Sequence, residues 1–229
     1  MNNQNFFSNE LWKDSRTVYE RILEHPFIKG LCQGTLSIEQ FGFYMQQDAL
    51  YLVDFSRALS CIAAKMNGVP EIVQFLRYAM CAIAGERELH TDYFNYYKID
   101  PGSEKNEACF VYTHYLLSTS ALEAVEIAVA AVLPCLWVYR GVGLHVYKNS
   151  VTNNPFEKWI DTYSSEEFSE IVNEAIILAE KIYESVSPAI KQSMKRAVYQ
   201  AVCLEWKFWD DAYRLNHHFK ETSSSPMAY

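Results

Sequence analysis

Glycine and proline are scarce, eight and seven of 229 residues, and no stretch alternates polar and apolar residues over a useful length. A β-rich fold needs both the turn formers and the alternation, so strands are excluded as the main architecture. No segment forms a basic arm or a Lys/Arg-rich helix, and the formal charge is −8. A phosphate backbone would be repelled, which argues against nucleic acid as a partner. An unbroken apolar run of membrane length is also missing. The most apolar segment, "AVEIAVAAVLPCLWVYRGVGLHVY", is interrupted by Glu126, Pro134, Arg140 and two glycines. It reads as a buried core helix, with no membrane span. The N-terminus has neither the basic start nor the apolar run of a signal peptide. The six cysteines (32, 61, 81, 109, 135, 203) lack CxxC and zinc spacing, so free thiols in a reducing cytoplasm are expected. A Gly-rich phosphate loop, a Gly-x-Ser-x-Gly elbow and a dinucleotide fingerprint are all absent.

What remains is helix. Half the chain is apolar and 15% aromatic, enough for a large core, and nearly every segment has a period close to 3.6. Helices are expected at 9–30, 37–67, 70–98, 104–119, 121–148, 154–162, 165–186 and 188–219. Capping boxes are expected at Ser37–Gln40, Ser120–Glu123 and Ser164–Glu167, where cap and third-residue side chains satisfy each other's amides. Pro70 and Pro188 suit first-turn positions. Short loops and the absence of an internal linker or repeat predict one all-α bundle over residues 6–219. The polar tail, 220–229, is expected to be disordered.

Three helices each carry one chemically odd residue on the midline of an apolar face. Asp48 is flanked at helical spacing by Phe41, Tyr44, Met45, Tyr51, Leu52 and Phe55. Cys135 has Ala128, Ala131, Val132, Val138, Tyr139 and Val142 in the same places, and Glu205 has Val198, Ala201, Val202, Phe208, Trp209 and Ala212. This spacing is that of one buried helix face. A carboxylate there must find a partner or shift its pKa upward, and small neighbours beside Cys135 and Glu205 leave room for a ligand. Each taken alone has a plain structural reading, a buried thiol as a small hydrophobe or a carboxylate as a hydrogen-bond acceptor. Together they predict a pocket. Pro134 predicts a kink or broken turn beside Cys135. Sixteen tyrosines could supply hydroxyls and ring faces, although pattern alone does not choose among them.

Other chemistries stay open at this level. His25 could serve as a proximal haem ligand, Gly141 and Gly143 could let a porphyrin approach, and Glu86 with His90, one turn apart, could bind a metal. The paired Glu-x-x-His motifs of di-iron bundles are absent.

Several motifs then point to one family. They are "HPF" at 25–27, G-x-L at 34–36, F-x-x-Y-x-x-Q-D from Phe41 to Asp48 followed by Tyr51, "VLPC" with "WVY" over 132–139, W-I-x-x-Y at 159–163 and E-x-x-F-W at 205–209. The chain resembles the TenA (thiaminase II) family from about residue 6 to 219. The resemblance implies a haem-oxygenase-like all-α fold without haem, assembled as a homotetramer. It implies hydrolysis of 4-amino-5-aminomethyl-2-methylpyrimidine and of thiamin to 4-amino-5-hydroxymethyl-2-methylpyrimidine, with no metal or organic cofactor. It assigns Cys135 as nucleophile, Glu205 as catalytic acid and base, and Asp48 as the pyrimidine-binding carboxylate. Tyr51, Tyr112, Tyr139, Tyr163 and Phe208 become the pocket aromatics. A non-enzymatic pyrimidine-binding or regulatory protein on the same scaffold, and a haem or metal oxidase, are the rival readings.

Overall fold

A computed structural model describes residues 9–100, 102 and 104–217, the side chains of 84–88 excepted. After a 3-10 turn at Lys13–Ser15 come α1 (Arg16–Leu23), α2 (Pro26–Gln33), α3 (Ile38–Lys65), α4 (Val69–Tyr97), α5 (Glu107–Leu122), α6 (Val125–Asn149), α7 (Glu157–Ser164), α8 (Glu166–Ser185) and α9 (Pro188–Arg214). The described residues contain no strand. The expected all-α bundle is therefore present; residues 6–8, 218–219 and the tail 220–229 lie outside the described residues.

The central element is α6. By length and composition it could cross a membrane, yet it packs against α1, α2, α3, α5, α7, α8 and α9. Its midline residues Ala128, Ala131, Val132, Val138 and Val142 are fully buried. Two glycines allow its close approaches. A Cβ on Gly141 would collide with the Tyr19 hydroxyl, and one on Gly143 would lie 2.5 Å from the Tyr163 carbonyl oxygen. The space that could have admitted a porphyrin is therefore taken up by α1 and by the end of α7.

Several expected boundaries move, each for a local reason. The helix expected over 9–30 is two helices. Pro26 disfavours helical backbone at the residue before it, and His25 adopts φ −64°, ψ 140° and caps α2 through the Phe27 amide. The cap expected at Ser120 does not form, because α5 runs on to Leu122 and α6 begins after Ala124. There the Lys65 ammonium from the end of α3 takes the carbonyls of Ser120 (3.0 Å) and Glu123, a cation at a helix C-terminus. Before α8, the capping serine is Ser165, bonded to the Phe168 amide, while Ser164 closes α7. The last helix ends at Arg214, with Leu215 left-handed at φ 55°. The expected Ser37–Gln40 box is complete in both directions, and Pro70 and Pro188 stand in first turns. Of the kink or broken turn expected at Pro134, the broken turn does not form: α6 is continuous through it.

Candidate active site

The site is assembled by a buried polar knot that fixes α3, α5 and α9 against each other. Asn106 caps α5 by accepting from the Cys109 amide at 2.9 Å, while its own amide donates to Gln47 Oε1, also at 2.9 Å. The Cys109 thiol donates to the Gln47 carbonyl, and the Asn106 side chain donates to Asp211 on α9 and to the Asn216 carbonyl just beyond its end. Gln47 precedes Asp48, Tyr112 lies one turn after Cys109, and Glu205 lies on the same helix as Asp211. Hydrogen bonds satisfied out of water thus set the phase of three candidate site side chains, Asp48, Tyr112 and Glu205. The Cys109 thiol is pushed up to about 12 by burial, so it stays protonated as a structural donor. A second anchor sets α7. Asn154 accepts from the Phe156 amide and donates to the Leu31 carbonyl, and Tyr93 takes the Trp159 amide. These contacts aim Trp159 and Tyr163 inward.

A cavity of about 620 Å³ lies beside this knot, within the range typical of small-molecule sites. Asp48, Cys135, Tyr139 and Tyr163 line it together with Leu52, Phe55 and Phe168. Its outer end is walled by Met80, Asp161 and Glu167, which are exposed, so the chamber opens to the surface between α4, α7 and α8. Of the eight residues expected at the site, four therefore face the cavity. The other four are packed behind. Tyr112 donates to Glu205 Oε1 at 2.8 Å, and the Tyr51 ring lies 5.0 Å from Tyr112 and 5.8 Å from Phe208, centroid to centroid.

Charge in this corner is tightly constrained. Glu205 is 1% exposed. Burial pushes its carboxyl up to about 8, the Tyr112 hydrogen bond pulls it back down, and the Asp48 charge adds to the rise. A carboxyl in that range can give and take a proton near neutrality. Burial, followed by the nearby Cys135, Tyr112 and Glu205, holds the Tyr51 phenol well above its ordinary value. Tyr112 is raised in the same way. Both phenols therefore stay protonated, and Tyr112 is the one that donates, to Glu205.

Three residues at the site were not foreseen. His90 from α4 places Nε2 3.0 Å from Asp48 Oδ2, while Tyr44 and Trp159 hydrogen-bond behind Tyr139. The sequence signal for His90 pointed elsewhere, to a metal pair with Glu86, whose side chain lies outside the described residues. The haem reading fails at His25. Its Nδ1 accepts from the Phe27 amide and its Nε2 faces Asp210 at 3.3 Å, which leaves neither nitrogen for iron. Among the described residues no three His, Cys, Asp or Glu side chains form a metal-binding group.

Residues 12–215 match the model of the TENA/THI-4/PQQC family. The chain belongs to that family. It is 35% identical over 210 residues to the thiamine biosynthesis multifunctional protein ThiED of Corynebacterium efficiens, an alignment covering 91% of this chain and 28% of ThiED. The chain thus spans little more than a quarter of that relative's length. It is 28% identical over 215 residues to the aminopyrimidine aminohydrolase of Halalkalibacterium halodurans, covering 90% of this chain and 95% of that one. Among solved structures, a TenA homologue from Pyrococcus furiosus superposes with a TM-score of 0.85 at 23% identity, over 90% of this chain and all of the other. A domain with a heme oxygenase-like fold from Shewanella denitrificans superposes at 0.72 and 17% identity, over 96% of this chain and 97% of that one. The fold is accordingly haem-oxygenase-like.

Proposed function

We propose that this protein is an aminopyrimidine hydrolase of thiamin salvage, acting on 4-amino-5-aminomethyl-2-methylpyrimidine and on thiamin. One observation carries the reading: a carboxylate, Asp48, and a thiol, Cys135, share one cavity wall, while a second carboxyl, Glu205, is buried behind and pushed up to about 8. An aminopyrimidine presents an amino group beside a ring nitrogen, an edge that one carboxylate grips with paired hydrogen bonds. The Cys135 thiolate then adds to the unsubstituted ring carbon, which breaks aromaticity. The ring electrons expel ammonia, or the thiazole of thiamin, from the exocyclic methylene once that group is protonated. Water adds at the methylene, its proton leaves, and the thiolate departs as the ring rearomatises. Overall one C–N bond is hydrolysed to C–O, and the sum needs no oxidant. Glu205 moves the protons, and Tyr139 and Tyr163 orient the ring. Tyr51, Tyr112 and Phe208 hold these groups from behind.

The test is incubation of the purified protein with each substrate, with ammonia or thiazole and the hydroxymethylpyrimidine quantified. Stoichiometric release is expected. Pyrimidine binding without release would support a binding or regulatory protein in place of an enzyme.

We further propose a cytoplasmic homotetramer. None of the six cysteines forms a disulfide, which suits a reducing compartment. Val69, Val73, Leu76, Met80 and Ile83 are exposed on one face of α4, at the three- and four-residue spacing of a helix contact. Replacing both Val73 and Leu76 by glutamate should lower the mass measured by light scattering. A wild-type protein that is already monomeric would contradict the assembly.

A further inference from the structure

Both oxygens of Asp48 accept hydrogen bonds inside the protein, and the chemistry proposed above gives no role to His90, Tyr44 or Trp159. At Oδ2 the partner is His90 Nε2, 3.0 Å away. A carboxylate only accepts, so Nε2 carries the proton. At Oδ1 the donor is the Tyr139 hydroxyl, 3.3 Å away. The direction of that bond is fixed by the carboxylate, which only accepts. An indole nitrogen can only donate, and Trp159 donates to the Tyr44 hydroxyl at 3.1 Å. Tyr44 donates to Tyr139 at 3.4 Å, in line with the Tyr139 proton lying on Asp48. The whole chain is out of water: Trp159 and Tyr44 are fully buried, Asp48 is 2% exposed, and His90 and Tyr139 are each 5% exposed. His90 is also stacked on Phe94, with centroids 6.0 Å apart and planes at 28°, so its ring cannot easily turn away.

We propose that His90 is a positioning residue, acting with the Trp159–Tyr44–Tyr139 chain to present Asp48 to the cavity as a matched pair of acceptors. This deepens the hydrolase reading and rests on it. An ionised carboxylate offers about four lone-pair sites. One site on each oxygen is taken by the protein, and one on each remains. Asp48 lines the cavity, so the remaining pair meets a ligand with two parallel N–H donors. An aminopyrimidine whose ring nitrogen carries a proton supplies them through that nitrogen and the adjacent amino group. A 4-oxopyrimidine offers one donor and one acceptor on the same edge, and it is rejected because its carbonyl oxygen faces a carboxylate oxygen. Without His90 the carboxylate can rotate, and the pair loses its alignment.

The experiment compares wild type, His90→Phe and His90→Gln. Phenylalanine keeps a ring against Phe94 and removes the donor; glutamine returns an N–H near the position of Nε2. The readouts are calorimetric affinity for 4-amino-5-hydroxymethyl-2-methylpyrimidine, kcat and KM for ammonia release, and thermal stability. His90→Phe should weaken affinity and raise KM by about 10- to 100-fold, the range of a lost hydrogen bond to a charged group, with kcat changed much less. His90→Gln should recover most of the affinity. On an Asp48→Asn background His90→Phe should change affinity little, since no carboxylate is left to align. Wild-type affinity in a folded His90→Phe protein would overturn the proposal alone, as would equal impairment by Phe and Gln. If wild type neither binds nor hydrolyses the pyrimidine, the hydrolase reading falls and takes the proposal with it. A His90→Phe protein that does not fold passes the decision to His90→Gln, whose affinity must then stay within about threefold of wild type for the proposal to stand.

Discussion

Cys135→Ser should reduce ammonia release from 4-amino-5-aminomethyl-2-methylpyrimidine by at least ~10³-fold, the scale expected when a covalent nucleophile is removed. The substitution exchanges sulfur for oxygen on a side chain that is 7% exposed at the cavity wall, so the fold should persist. What changes is nucleophilicity. A thiol gives up its proton readily enough to supply a thiolate near neutrality, whereas a serine hydroxyl needs a strong base beside it. The loss should sit in kcat. Affinity for the hydroxymethylpyrimidine should survive within a few-fold, because in the proposed mechanism the ring is gripped by Asp48 and the tyrosines. Steady-state ammonia assays with calorimetry on the same preparations separate the two quantities. Equal turnover by both proteins would end covalent attack by sulfur.

Glu205→Gln should lower turnover by roughly 10²- to 10⁴-fold, the contribution typical of a positioned acid or base, and leave pyrimidine affinity nearly intact. Glutamine keeps the shape and an oxygen for the Tyr112 hydroxyl but cannot move a proton. The same variant carries a signature in stability. The Glu205 carboxyl ionises at about 8 in the fold against an ordinary value of 4.5, chiefly through burial. Between those two pH values the unfolded chain has released this proton and the folded chain still holds it. Folding therefore takes up a proton, and by linkage wild-type stability falls as pH rises across that window. The contribution is complete below about 4.5 and gone above about 8. Glu205→Gln should flatten that part of the curve. Unfolding midpoints measured at several pH values in both proteins check it. Parallel curves would show that Glu205 is not a buried acid, and retained turnover would show that another group moves the protons.

The helical character, the core faces and the three odd midline residues were legible because helical period alone determines which side of a helix is buried. Asp48, Cys135 and Glu205 are 2%, 7% and 1% exposed, as their apolar flanks required. Period continues through a break when both pieces share a face, which is why α1 and α2 read as one helix across Pro26. It also misses an end set from far away in the sequence: Lys65 closes α5 from α3, and nothing near Ser120 signals it. The adjacent serines 164 and 165 are chemically alike as caps, and only the chain path selects the second.

The site was half legible for the same reason. A periodic pattern gives a face and no distance, so it could not divide the tyrosines into those that line the cavity and those packed behind it. Nor could it pair His90 with Asp48, which lies on a neighbouring helix and 42 residues earlier. The cavity itself is a gap between α3, α4, α6, α7 and α8, and a gap has no residues of its own to read. Its open outer end, where Met80 and Glu167 are exposed, follows from the same arrangement.

The central claim is most directly tested by a crystal structure of the protein soaked with 4-amino-5-hydroxymethyl-2-methylpyrimidine. The account predicts the amino group and adjacent ring nitrogen on the two Asp48 oxygens, with the Cys135 sulfur facing the unsubstituted ring carbon. A ring bound elsewhere, or bound with its amino edge turned away from Asp48, would contradict it.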